Sequence, residues 1–103
     1  MSFDGNEGDS ISLATAAEWT ENYRDENPGE IKGHFFGKQI IKDILQQTGC
    51  MGVRIYYGID GNGAKQLIVV GADANEDDMT SGIIADNSVP CPTICGRSND
   101  LNS

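Results

Sequence analysis

Two runs of β-forming residues around one turn constrain this chain more than any other feature. Residues 51–59 (Met51, Val53, Ile55, Tyr56, Tyr57 and Ile59 among them) read as one strand, and residues 64–72 (Leu67, Ile68, Val69 and Val70 among them) read as its return. Between them Asp60-Gly61-Asn62-Gly63 has the short polar side chains and glycines of a hairpin turn. Pairing Ile59 with Ala64 sets Ile55 opposite Ile68 and Val53 opposite Val70. Alternation then assigns Val53, Ile55, Tyr57, Ile68 and Val70 to an inward face, and Arg54, Tyr56, Leu67 and Val69 to an outward one.

A two-stranded hairpin is marginal alone, so helices must supply its cover. The spacing predicts a helix over residues 13–26, with Ser12 as N-cap and a narrow apolar face of Leu13, Ala16, Ala17, Thr20 and Tyr23 beside Trp19. Pro28 ends it, because proline disfavours helical dihedrals at Asn27. A second helix over residues 37–47 carries a stronger stripe of Phe36, Ile40, Ile41, Ile44 and Leu45, closed by Gly49. The fold class is therefore α+β, two helices packed on an antiparallel hairpin or small sheet, with an irregular C-terminal tail. The expected core is Leu13, Ala17, Trp19, Tyr23, Phe36, Ile40, Ile41, Ile44, Leu45, Val53, Ile55, Tyr57, Ile68 and Val70. Residues 1–10 read as a disordered acidic arm, 11–88 as one domain and 89–103 as a Cys/Pro-containing tail.

The outward hairpin face is too apolar to stand in water. Residues 83–94 are expected to fold over it. Failing that, Tyr56, Leu67 and Val69 become a surface for a protein partner or for self-association.

With 103 residues and a net charge of -9, the chain opposes the field of phosphates and anionic lipids. Nucleic acid and membrane are therefore excluded as partners, and no apolar run is long enough to span a bilayer. The acidic N-terminus is unlike a secretory signal, and three cysteines fit poorly with a fully bonded secreted framework. The expected location is the cytoplasm, with reduced thiols.

Val89-Pro90-Cys91-Pro92-Thr93-Ile94-Cys95-Gly96 holds two of the three cysteines and two of the three prolines. Such a stiff segment suits a metal clip, a small disulfide loop or a redox pair. Cys91 and Cys95 have the separation of paired zinc ligands, and Cys50 and His34 are the other soft or borderline ligands. Cys50, Cys91, Cys95 and His34 are thus the candidate metal set, with the cofactor unassigned. Redox enzymes place a two-residue gap at a helix N-terminus, which this segment lacks.

The run Asp73-Ala74-Asn75-Glu76-Asp77 alternates oxygen ligands as a calcium loop does. The loop's glycine position is Asp78, however, and its closing glutamate position is Ile84. His34, between glycine and two phenylalanines, reads as a packed or capping histidine rather than a catalytic base. No constellation argues for an enzyme.

Two resemblances follow. Ile11-Ser12-Leu13, Tyr23-Arg24-Asp25-Glu26-Asn27-Pro28, Phe36-Gly37, Gly49-Cys50-Met51-Gly52-Val53-Arg54-Ile55-Tyr56, Val70-Gly71-Ala72-Asp73-Ala74 and Pro90-Cys91-Pro92 with Cys95-Gly96 resemble a family of small uncharacterised bacterial proteins. That likeness implies a self-contained cytoplasmic module and assigns no catalytic residue. Gly49-Cys50-Met51-Gly52-Val53 followed by Tyr56 and Tyr57 is similar to the first cysteine segment of A-type iron–sulfur carriers. It implies a cluster role for Cys50, Cys91 and Cys95, although the terminal pair of those carriers is separated by one residue and here by three. The expected function is a small non-enzymatic interaction or assembly module. The alternative is a metal- or iron–sulfur-binding protein using the three cysteines.

Overall fold

A computed structural model describes residues 2–103. In chain order the elements are α1 (Leu13–Glu26), β1 (Gly33–Phe35), α2 (Lys38–Leu45), β2 (Cys50–Ile59), β3 (Lys65–Asp73), β4 (Ile84–Ala85) and β5 (Val89–Cys91). The fold is α+β, as the residue patterns imply. It divides into two compact units. The first gathers the described residues up to Glu7 with Phe36–Ser88, and the second is Gly8–Phe35 with Val89–Ser103.

In the first unit β2 and β3 pair antiparallel, with Ile55 opposite Val69, Tyr57 opposite Leu67 and Ile59 opposite Lys65. This register differs by one residue from the expected one, and the turn explains why. The Asp60 amide donates to the Ala64 carbonyl at 2.9 Å, and the Gly63 amide donates to the Asp60 carbonyl at 3.0 Å. Gly63 takes a φ of +82°, which other residues rarely adopt. The Asp60 carboxylate accepts from the Asn62 and Ala64 amides at 2.9 and 3.0 Å. The result is a three-residue loop with a glycine bulge, one residue longer than the closure that Ile59–Ala64 pairing assumes. A slip of one moves every β3 side chain to the other face. Val69 and Leu67 therefore share a face with Ile55 and Tyr57, and Val69 is fully buried rather than outward.

β4 adds a third strand, with Ala85 opposite Val69 and Ile84 opposite Val70, so β3 is central. α2 packs on β2 and β3. Its Ile44 is fully buried against Val69 and Ala85, flanked by Phe36, Ile40, Ile41, Cys50 and Ile83. Gly71 permits this approach. A Cβ there would lie 3.0 Å from the Cys50 sulfur, 3.1 Å from Gln47 Nε2 and 3.3 Å from Ile44 Cγ2. Gln47 then ties the helix end to the approach of β4. Its Nε2 donates to the Ile44 carbonyl at 3.0 Å, and its Oε1 accepts from the Ile83 amide at 2.8 Å.

The N-terminal arm is not free. The Phe3 amide donates to the Ala74 carbonyl at 3.1 Å, and the Arg54 guanidinium lies 5.5 Å from the Phe3 ring centroid. The Glu7 carboxylate accepts from the Asp4 and Gly5 amides, which closes a local turn.

The second unit holds α1, β1 and β5. Ser12 caps α1 as expected, accepting from the Thr15 amide at 3.1 Å. The expected stripe does not become a core. Ala16, Ala17 and Thr20 are half-covered, while Leu13, Trp19 and Tyr23 stay exposed. Alanines and a threonine bury too little apolar area to anchor a helix face. α1 belongs to this unit. β5 pairs with β1, Gly33 opposite Cys91 and Phe35 opposite Val89.

Since Ile44 has no exposed surface, Ile44→Ala should destabilise the fold by roughly 2–5 kcal/mol in chemical denaturation. A loss under about 1 kcal/mol would contradict its central place.

Candidate functional site

The sequence-derived metal set is divided between the two units. Cys91 and Cys95 are joined as a disulfide, one of the states their spacing permits. The cysteine count, by contrast, points to reduced thiols for this pair. Cys50 is a half-buried free thiol in the first unit, donating to the Gly52 carbonyl at 3.2 Å. His34 lies on β1 opposite Pro90. Among the described residues no group of three or more His, Cys, Asp or Glu side chains is arranged to hold a metal ion.

The 73–78 loop spends its acids on the fold. Asp73 Oδ1 accepts from the Asn75 and Asp77 amides at 2.9 and 3.1 Å. Asp78 is an anchor on the outer face of the sheet. Arg54 Nη1 donates to its Oδ1 at 2.5 Å, and the Tyr56 hydroxyl donates to its Oδ2 at 2.5 Å. Arg54 also donates to the Glu76 carbonyl at 3.3 Å. Because β3 lies between β2 and Asp78, these side chains cross it, and Val70 and Ala72 beneath are buried. A polar clamp therefore covers the face that residues 83–94 were expected to cover. The Tyr56 hydroxyl, and after it Arg54, holds the Asp78 carboxyl below the usual range. The same bond raises Tyr56, and Asp78 raises Arg54. Beside the clamp, a cleft of about 330 Å³ is lined by Phe3, Gly5, Glu7, Met51, Gly52, Val53, Arg54 and Ala72.

The other face of β2 has no such cover. Val53, Ile55, Tyr57 and Ile59 alternate along it and are 38, 52, 93 and 75% exposed. Lengths explain this. α2, with eight residues, spans about 12 Å. β2, with ten, spans about 33 Å. The helix sits over Val69 and Gly71 and leaves the turn-proximal half of β2 bare. β2 is also a terminal strand of its sheet. Its one charged side chain, Arg54, is turned to the clamp and neutralised by Asp78. The strand lacks the lysines and prolines that usually guard an edge.

The patch missed from sequence is thus Ile55, Tyr57 and Ile59; alternation places Ile55 and Tyr57 in the core and assigns Ile59 to neither face. The signal available was the short second helix against a long strand.

Among the described residues no helix is long and apolar enough to cross a membrane. No protein-family model, curated protein or solved structure matches this chain.

A carboxyl held below its ordinary pKa stabilises the fold above its unfolded value, about 3.9, and loses that contribution as pH falls through the folded value. The Asp78 clamp should accordingly weaken only in acid, below about pH 4. Tyr56→Phe removes the leading donor, so the Asp78 carboxyl resonance should titrate at higher pH than in the parent. An unchanged titration would contradict the clamp.

Proposed function

We propose that this protein is a small non-enzymatic interaction module that docks a protein partner on the free edge and apolar stripe of β2. The observation that carries this reading is the exposure of Ile55, Tyr57 and Ile59 along one face of a terminal strand. Contiguous exposed apolar side chains mark interaction sites. An unpaired strand edge adds a row of backbone donors and acceptors, so an extended segment can join the sheet as a fourth strand. Main-chain bonds would supply affinity, and alternate side chains would lie against Tyr57 and its neighbours.

Charge selects among occupants. The chain carries a net -9, and each unit has more acids than bases. A second copy would bring like charge to like charge, whereas a basic partner gains from the field. The favoured occupant is therefore a lysine- or arginine-rich extended segment with apolar residues at alternate positions. The same charge argues against nucleic acid.

A short soluble peptide alternating lysine and valine is a direct probe. In a titration followed by backbone amide shifts, the movements should centre on Ile55, Tyr57 and Ile59. Tyr57→Lys should abolish them without unfolding the protein, because that side chain is 93% exposed. The peptide with glutamate in place of lysine should bind about tenfold more weakly or worse. Equal binding of both peptides, or shifts away from β2, would contradict the proposal. A peptide-free dimer in sedimentation that Tyr57→Lys disperses would make the occupant a second copy and overturn the charge argument.

A further inference from the structure

The two units are stabilised by different means. All the buried apolar side chains of the described chain, Ile44, Val69, Val70, Ala72 and Ala85, belong to the first unit. The described residues of the second unit include no buried side chain. Its α1 has 14 residues, a length at which an isolated helix is marginal in water. Its β1–β5 ladder has three residue pairs. Domains that cannot build a core depend on covalent staples.

The Cys91–Cys95 bond stands where the remaining contacts of this unit meet. Cys91 pairs with Gly33, and its carbonyl accepts from the Lys32 amide at 2.7 Å. The Ile94 amide, within the closed loop, donates to the carbonyl of Pro90 just before it at 3.1 Å. The Cys95 carbonyl accepts from Asn102 Nδ2 at 3.0 Å. The C-terminal turn is in turn held by Arg24, which donates to the Leu101 carbonyl at 2.7 Å, and by Lys32 Nζ, which donates to the Asn102 carbonyl. Through that loop the ladder, the C-terminal turn and the end of α1 are linked.

We propose that this disulfide is a redox-controlled staple: its reduction by a dithiol releases the second unit and leaves the first folded. In the step, the dithiol gives two electrons and two protons. The Sγ–Sγ bond breaks, Cys91 and Cys95 each become a thiol, and the reductant closes to its own disulfide. The coupling is reciprocal. Whatever folding free energy the bond lends the unit, the folded unit returns as resistance to reduction. In an oxidising compartment the folded form persists; in the reducing cytoplasm expected from the cysteine count, the released form does.

Limited trypsin digestion with peptide mapping tests this on the full chain, before and after treatment with dithiothreitol. Titration should show one free thiol rising to three. Cleavage after Arg24 and Lys32 should accelerate about tenfold or more, because cleavage tracks local opening, while cleavage after Arg54 in β2 stays constant. Cys95→Ser should behave as the reduced protein without reductant. Unchanged cleavage at Arg24 and Lys32 after full reduction would overturn the proposal. Equal acceleration at Arg54 would overturn it too, because the bond would then support the whole chain rather than one unit.

Discussion

The contact on which this structure depends is Ile44 against Val69. One is the fully covered residue of α2, and the other is the centre of β3. Their approach needs Gly71, where a Cβ would press on Ile44, Gln47 and Cys50 together. It also fixes Gln47, whose amide joins the end of α2 to Ile83 and so brings β4 alongside β3. Burying a side chain of this size contributes roughly 1.5–3 kcal/mol, and few other described residues are buried at all.

That concentration has a consequence on each side of the sheet. Toward α2, the short helix covers Val69 and Ala85 but not the far half of β2, so an aromatic and two isoleucines remain in water. Away from α2, three polar side chains do the covering, with Arg54 and Tyr56 reaching over β3 to Asp78. An ion pair on the surface contributes little by itself. Here it also directs the charge of β2 away from the apolar face. The free edge of β2 is thereby electrically quiet, while the chain as a whole is acidic.

How much of this was legible in the residues differs by element. α2 and Ile44 were legible, because four large apolar residues at helical spacing leave one face to bury. β2 and β3 were legible as strands, but their register was not. It depends on whether the turn closes at Ala64 or Lys65, and Asp60 accepting two amides with Gly63 at positive φ decides that locally. One residue then exchanged Val69 and Leu67 with Val70 and Ile68. The β1–β5 ladder was not legible: it joins short segments over fifty residues apart, with no periodicity to announce them. The clamp was hidden in an acidic run, where nothing distinguished Asp78 from Asp77 until Ala72 was paired with it. The disulfide was one of three states the Cys91–Cys95 spacing allowed.

Stability resides in α2, β3 and β4, where the buried side chains gather, and not in the second unit. Native-state hydrogen exchange on the oxidised protein measures it residue by residue, since the slowest amides report global unfolding. The strongest protection is expected at Val69, Val70 and Ala72 and in the last turn of α2, with the amides of α1 and of the β1–β5 ladder exchanging through smaller local openings. Protection in α1 or at Gly33–Phe35 equal to that of β3 would contradict it.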